Sequence, residues 1–197
     1  MTADASLPAD MRRSPLGRTG AGPHVLLAAR DVELVEFPFL AQANLRADPS
    51  GNVPAAVAAR LSVSLPMTPN RRATGASGMD AIWLGPDEWL LTGHGAGPAL
   101  ASDLDTAVRP HGGTVVDVTA HRTVIEVRGP RAHDILSSGT SIDLHPRAFA
   151  PDHAAQTPLA RVDVILCRFG PDAWRVFVRT SFARYLVEWF TDAVSGA

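Results

Sequence analysis

A short segment in the second half of the sequence brings three charged or titratable side chains into one turn. Asp117 ends a predicted strand, and His121 and Arg122 follow it closely. A carboxylate, an imidazole and a guanidinium at this spacing suit an ion pair that ties the turn. They equally suit a rigidly held group that orients a ligand or contacts a partner. The residues alone leave both interpretations open.

Other patterns that carry chemistry are missing from the sequence. The seven histidines include no H-x-x-x-H pair, and His121 and His133 lie on different predicted elements. Cys167, the single cysteine, follows an apolar run, which is typical of a buried and unreactive thiol. Ser137 and Ser138 stand where a helix is predicted to end and not in a G-x-S-x-G turn. We therefore predict no catalytic residue, no metal site and no cofactor site in this chain.

The glycine-rich segment 93–98 lies between a predicted strand and a predicted helix. This layout can hold phosphate at a helix N-terminus. The segment has no lysine and lacks the third spaced glycine of the known phosphate-binding loops. A tight turn between strand and helix is the alternative interpretation.

Composition limits the class of protein. The 197 residues are 46% hydrophobic and 19% charged, which fits a globular chain with a sizeable core. A net charge of −2 argues against nucleic acid or an anionic membrane surface as a partner. All 18 basic residues are arginine, so a Schiff-base lysine is excluded. No apolar stretch is long enough to span a bilayer, and no apolar region follows Arg12 and Arg13, so we expect a cytoplasmic protein.

The elements that position these residues follow from periodicity. Residues 1–22 lack an apolar period and predict a flexible N-terminal tail, and residues 23–197 predict a single domain. A long loop is expected over 64–78, with Arg71 and Arg72 as solvated charges. Strands are expected near 32–36, 81–84, 88–92, 114–118, 122–128, 156–161, 162–169 and 174–179, and helices from about 53, 98 and 130.

The last predicted helix has the clearest period. Ser181 is its expected N-cap. Its expected core face consists of Phe182, Tyr185, Leu186, Trp189, Phe190 and Ala193. Mixed strands and helices with hairpins indicate an α+β fold with a mixed, largely antiparallel sheet and packed helices.

Several ordered motifs resemble the gamma subunit of heterotetrameric sarcosine oxidase. The strings LGPDEWLL over 84–91 and IDLHPRAF over 142–149 are the most specific. The resemblance continues through 116–122, 156–157 and 176–186, and it spans about residues 30–195. It implies a complex with alpha, beta and delta subunits that oxidises sarcosine to glycine, forms hydrogen peroxide and passes the methyl carbon to tetrahydrofolate. It further implies that FAD, FMN, NAD, zinc and tetrahydrofolate belong to partner chains, and that this chain is a non-catalytic subunit of an oxidoreductase.

The same family is similar to the folate-binding domain of the glycine-cleavage aminomethyltransferases. Residues 115–119, followed by Gly129 and Pro130, resemble a strand and helix of that domain. The glycine pair and one Asp of the aminomethyltransferases are missing around Asp163, so the resemblance implies the fold and does not carry over the activity. A stand-alone folate-binding or one-carbon-transfer module, with Asp117 or Asp163 facing the pterin, remains the alternative function.

The sequence also suggests which residues meet a partner. Polar groups in the best-matched loops are the candidates. They are Asp117, His121, Arg122, His145 and Arg147.

Overall fold

The computed structural model describes residues 12–19 and 22–196. The described residues form eleven strands and four helices. The strands are β1 (His24–Ala29), β2 (Val32–Phe37), β3 (Ala41–Arg46), β4 (Arg72–Thr74), β5 (Asp80–Gly85), β6 (Glu88–Gly93), β7 (Thr114–Asp117), β8 (Arg122–Arg128), β9 (Ala154–Leu159), β10 (Val162–Arg168) and β11 (Ala173–Arg179). The helices are α1 (Val53–Leu61), α2 (Gly97–Val108), α3 (Ala132–Gly139) and α4 (Ala183–Ser195). No helix in the described part of the chain is long and apolar enough to cross a membrane.

The strands form two antiparallel sheets. The six-stranded sheet has the order β1-β2-β8-β11-β10-β9, and the five-stranded sheet has the order β4-β5-β6-β3-β7. The predicted α+β class with antiparallel pairing is confirmed. The division into two sheets was not foreseen, because it depends on pairings such as β2 with β8 between strands that are distant in sequence.

Three apolar clusters hold the sheets and helices in layers. One cluster packs α3 and α4 against the six-stranded sheet, and it includes Leu136, Trp174 and Phe190. A second packs α1 and α2 against the five-stranded sheet. The third lies between the two sheets and contains Ile82, Phe177 and other fully or nearly fully buried side chains. Each sheet therefore has a helical layer on one face and the other sheet on its opposite face.

Cys167 belongs to the cluster between the sheets. Its side chain is fully buried. Burial raises the pKa of this thiol to about 12, with smaller and partly opposing effects from Arg72, Asp80 and Arg175. A thiol with such a pKa carries almost no thiolate near neutral pH, so the predicted inert character of Cys167 follows from its surroundings.

Helix α4 differs from its prediction. A 3-10 turn over Thr180–Phe182 precedes the helix, so the N-cap is Phe182, and the prediction of Ser181 is wrong. The buried face consists of Ala183, Leu186, Phe190 and Val194. Phe182 and Tyr185, which were predicted to lie in the core, are 46% and 37% exposed. Trp189 and Ala193 of the predicted face pack against the same cluster as partly buried residues, so the observed core face overlaps the predicted one only in part.

The N-terminal segment is partly packed. Residues 1–11, 20 and 21 of the predicted tail lie outside the described residues. Residues 12–19, which we call the arm, form a turn in which the Ser14 N–H donates to the Arg18 carbonyl at 2.8 Å. The Ser14 hydroxyl donates to Glu36 Oε2 at 2.9 Å, and the Thr123 hydroxyl donates to Glu36 Oε1 at 2.9 Å. The arm therefore covers the fully buried carboxylate of Glu36, and it differs here from a flexible tail.

An arginine of the predicted loop over 64–78 forms a buried ion pair with Asp80 of β5. Arg72 lies on β4, and its Nη1 contacts Asp80 Oδ1 at 2.5 Å with side-chain exposures of 8% and 5%. Its Nη2 donates to the Pro151 carbonyl at 2.9 Å, and the guanidinium lies 3.9 Å from the centre of the Phe169 ring. Arg72 is therefore not a solvated charge, as its sequence context suggested. It joins the five-stranded sheet to the end of β10.

Candidate functional site

The turn between β7 and β8 is held by backbone and side-chain hydrogen bonds. The Val118 N–H donates to the Gln42 carbonyl at 2.9 Å, and the Gln42 N–H donates to Thr119 Oγ1 at 3.0 Å. The Thr119 N–H donates to Asp117 Oδ1 at 2.9 Å. Among the described residues, Asp117 forms no salt bridge with Arg122. The ion pair considered from the sequence is therefore replaced by an Asx turn.

His121 contributes mainly its backbone to this turn. Its N–H donates to the Val118 carbonyl at 2.9 Å, and its carbonyl accepts from the Thr180 N–H at 3.1 Å. The residue is exposed. These bonds connect the turn to the segment that follows β11, so the position of the turn is fixed from both sheets.

A cavity of about 510 Å³ opens beside this turn. Its walls come from the arm, the β2–β3 connection, the start of α2, the β7–β8 turn and the segment after β11. Asp117 and Arg122 both line it, together with Arg12 and Arg13 of the arm. The volume is in the range of small-molecule sites. Two of the five candidate residues thus share one concave surface.

The first residue of α2 packs directly on the turn. A Cβ added to Gly97 would overlap Thr119 Oγ1 and would lie 2.7 Å from Asp117 Oδ1. The Asp117 carboxylate therefore lies next to the N-terminal end of α2, where a negative charge is favourable. The absence of a side chain at Gly97 thus allows a close approach of helix α2 to the β7–β8 turn.

We expect Gly97→Ala to lower the free energy of unfolding by about 1–3 kcal/mol, because the new methyl group forces α2 away from Thr119. Chemical denaturation of the full chain measures this change. Gly170→Ala is the matched control, since its added Cβ would lie 3.6 Å from the Ala173 side chain, an ordinary contact. Equal stability of the two variants would show that α2 does not rest on the turn as described.

Arg122 and Arg179 stand opposite each other on β8 and β11. Burial lowers the pKa of Arg122, the charge of Arg179 lowers it further, and Glu88 acts in the opposite direction. Glu88 itself contacts Arg46 Nη2 at 2.9 Å and accepts from Asn44 Nδ2 at 2.7 Å. Both arginines line a second cavity of about 310 Å³, whose other walls come from β9 and β10 and include Asp163. Arg122 thus lies between two cavities.

His145 and Arg147 lie elsewhere on the surface. Both belong to the connection between α3 and β9, and both are exposed. The His145 N–H donates to Asp143 Oδ1 at 2.8 Å, and the Arg147 N–H donates to His145 Nδ1 at 3.3 Å. Neither residue lines either of the two cavities. The structure therefore brings together Asp117, His121 and Arg122 and leaves His145 and Arg147 in a separate loop.

Sequence reasoning did not select Arg179 or the two arginines of the arm as site residues. Arg179 lies within the matched stretch 176–186, but its pairing with Arg122 depends on the β8–β11 register. Arg12 and Arg13 belong to a segment without apolar period. Side chains alternate between the two faces of β11, so Arg179 lies on the same face as Phe177. This alternation was the one sequence signal for the orientation of Arg179. The described residues contain no group of three side chains suited to hold a metal ion.

The sequence is similar to those of one known protein family. The model of a family described as "Sarcosine oxidase, gamma subunit family" matches residues 45–196. "Sarcosine oxidase subunit gamma" of Corynebacterium sp. (strain U-96) is 39% identical over 187 residues, covering 94% of this chain and 91% of the relative. The protein of the same description from an Arthrobacter species is 38% identical over 185 residues, covering 94% of this chain and 91% of the relative.

Solved structures show the same relationship. A chain of the heterotetrameric sarcosine oxidase from Corynebacterium sp. U-96, in complex with pyrrole 2-carboxylate, superposes with a TM-score of 0.82 and 37% identity, covering 94% of this chain and 95% of that chain. The glycine cleavage system aminomethyltransferase T from Bartonella henselae superposes with a TM-score of 0.59 and 15% identity, covering 81% of this chain and 45% of that protein. The second likeness concerns the fold alone. The similarity to an aminomethyltransferase fold expected from the sequence is thereby confirmed.

Proposed function

Because the chain belongs to the sarcosine oxidase gamma subunit family, we propose that it is the gamma subunit of a heterotetrameric sarcosine oxidase. In this role it supplies shape and binding surface and carries out no bond-making step. The observation that carries the proposal is the match of nearly the whole chain, at 37% identity, to a chain of such a complex. A chain that kept only a general fold would not retain this identity over 94% of its length.

The proposal assigns the chemistry to other subunits. Alpha, beta and delta chains are the proposed partners, and they hold FAD, FMN, NAD, zinc and tetrahydrofolate. The complex oxidises sarcosine to glycine, and we place it in the cytoplasm. Support from this chain is the scarcity of suitable groups: the described residues hold no metal-ligating cluster, and the thiol of Cys167 is buried with a pKa of about 12.

Two surfaces are the proposed contact sites. The first contains Asp117, His121 and Arg122 on the β7–β8 turn, and the second contains His145 and Arg147 on the α3–β9 connection. The first is held by hydrogen bonds of the turn to Gln42 and Thr180. The second is anchored by Leu144 and Phe149, which are buried against the six-stranded sheet. A surface held in this way loses little entropy when it binds a partner.

Co-expression with candidate alpha, beta and delta chains tests the proposal. We expect the four chains to elute together in size-exclusion chromatography and to oxidise sarcosine with formation of hydrogen peroxide. We expect the three chains without this subunit to assemble poorly, because an obligate interface leaves apolar surface exposed when one subunit is missing. A three-chain complex with unchanged stability and turnover would contradict the proposal.

One observation favours a second function, the binding of a folate. The 510 Å³ cavity has the size of a ligand site, and Asp117 offers a carboxylate to the amide edge of a pterin. Asp117 Oδ1 already accepts the Thr119 N–H, which leaves Oδ2 for a ligand. Isothermal titration of the full chain with tetrahydrofolate decides the question: heat that disappears in Asp117→Asn supports this function, and no heat at millimolar ligand rejects it.

A further inference from the structure

A pair of positive charges lies between the two cavities. Arg122 and Arg179 are directly opposed on neighbouring strands of the six-stranded sheet and lie on the same face. Among the described residues, neither guanidinium forms a salt bridge or a side-chain hydrogen bond. Like charges placed opposite each other in a sheet destabilise it. The folded chain alone therefore gains nothing from this arrangement.

Two other arginines of the same sheet have acidic partners on neighbouring strands. Arg175, four residues before Arg179 on β11, donates to Glu126 Oε2 at 3.0 Å, and Arg128 donates to Glu33 Oε2 at 2.7 Å. Arg128 and Arg175 thus have acidic partners across the strands. Arg168 of β10 has no acidic partner, but its guanidinium donates to the carbonyls of Phe149, Gly170 and Pro171. Among the described residues, the guanidinium groups of Arg122 and Arg179 have neither kind of partner. The contrast points to an anion that is not among the described residues.

Acidic side chains near the pair do not supply that anion. Glu88 is engaged by Arg46 and Asn44. Asp163 lines the second cavity with both arginines and forms no salt bridge with either of them. Asp117 lines the first cavity with Arg122 and uses Oδ1 within its own turn. The half-buried guanidinium of Arg122 opens into both cavities, so an incoming carboxylate can reach it without rearrangement of the sheet.

We propose that Arg122 and Arg179 form a carboxylate-binding site that receives an Asp or Glu side chain of a partner subunit. The inference rests on the proposed function, because it needs a partner chain. Charge complementarity selects the occupant: a carboxylate matches the planar donor geometry of a guanidinium, and a second positive charge on the neighbouring strand adds to its attraction. The pair lies next to the β7–β8 turn, so it belongs to the first proposed contact surface.

The variants Arg122→Gln and Arg179→Gln test the site in the four-chain complex and in the full chain alone. We expect each to weaken association with the partner subunits by about 30-fold or more. We expect the association of the unchanged chain to weaken with added salt, and that of the variants to depend less on salt. The melting temperature of the chain alone should stay unchanged or rise, because a like-charge contact is removed.

Two control variants make the result specific. Arg30→Gln removes an exposed arginine from the turn between β1 and β2, away from both cavities, and should leave association unchanged. Asp163→Asn removes the nearby negative charge and should leave association unchanged or strengthen it. If Asp163→Asn weakens association as much as Arg179→Gln, the arginine serves a contact within the chain and the inference is wrong.

The outcomes separate the inference from the proposed function. Assembly of both glutamine variants with the affinity of the unchanged chain overturns the carboxylate site and leaves the subunit role intact. A lower melting temperature of the glutamine variants also overturns it, because it shows a stabilising role within the fold. Failure of the unchanged chain to assemble at all rejects the proposed function, and the inference with it.

Discussion

Arg72→Ala should lower the free energy of unfolding by about 3–5 kcal/mol, because it leaves the Asp80 carboxylate buried without a positive charge. The Arg72 and Asp80 side chains are only 8% and 5% exposed, and Thr74 would be the remaining donor to Asp80, at 2.6 Å. The change also removes the hydrogen bonds to the carbonyls of Pro151 and Arg168 and the contact with the Phe169 ring. Urea denaturation of the full chain measures the loss.

The neighbouring arginine is a matched control. Arg71 Nη1 contacts Asp152 Oδ2 at 2.7 Å, but the two side chains are 37% and 58% exposed. Solvent screens such a pair, so Arg71→Ala should cost about 0–1 kcal/mol. The double variant Arg72→Ala with Asp80→Ala should recover part of the loss, because no charge is left unpaired. If Arg71→Ala and Arg72→Ala lowered the free energy of unfolding by similar amounts, burial would not be what makes the Arg72–Asp80 pair important.

Gly129→Ala is expected to destabilise the chain by about 3–5 kcal/mol, since two separate effects act at this position. The backbone of Gly129 has φ of +119°, which side chains rarely tolerate. An added Cβ would also lie 2.5 Å from the Asp31 carbonyl oxygen and 3.0 Å from Val32 Cα. These contacts involve backbone atoms, so no side chain can move aside. The expected result is a large drop in melting temperature.

Gly112 separates the two effects. Its φ is +82°, and an added Cβ would meet no atom within 4 Å. Gly112→Ala should therefore cost about 1–2 kcal/mol from backbone strain alone. Thermal unfolding of both variants under the same conditions gives the difference. If the two alanine variants unfold at the same temperature, the close approach of Gly129 to the β1–β2 turn does not limit the size of the side chain at this position.

Local patterns predicted most elements of this fold. The strand predicted over 122–128 has the same bounds in the structure, because Thr123, Ile125 and Val127 alternate with Val124, Glu126 and Arg128, as the two faces of a strand require. Helix α4 was found from its period, but its N-cap was placed at Ser181 because a 3-10 turn and a helix start have similar sequence signals. The packing of Ser14 on Glu36 left no periodic signal, so the arm was assigned to the tail.

In the candidate site, too, the features with a local sequence pattern were predictable and those that depend on tertiary packing were not. The β7–β8 turn was found because Asp117, His121 and Arg122 are neighbours in sequence. The partner of Arg122 on the next strand could not be predicted, since β8 and β11 are separated by a helix and two further strands. Arg72 was misjudged for a related reason. Its burial depends on Asp80, Pro151 and Phe169, which only the packing of the two sheets brings together.

The position of Cys167 has a practical consequence for following assembly. It is the only cysteine of the chain, and it is fully enclosed between the two sheets. Maleimide dyes should therefore leave the native protein unlabelled, while a cysteine introduced at the exposed position Ala120 would react alone. A fluorophore attached there would report directly, in a single-colour titration, when a neighbouring polypeptide covers that part of the surface.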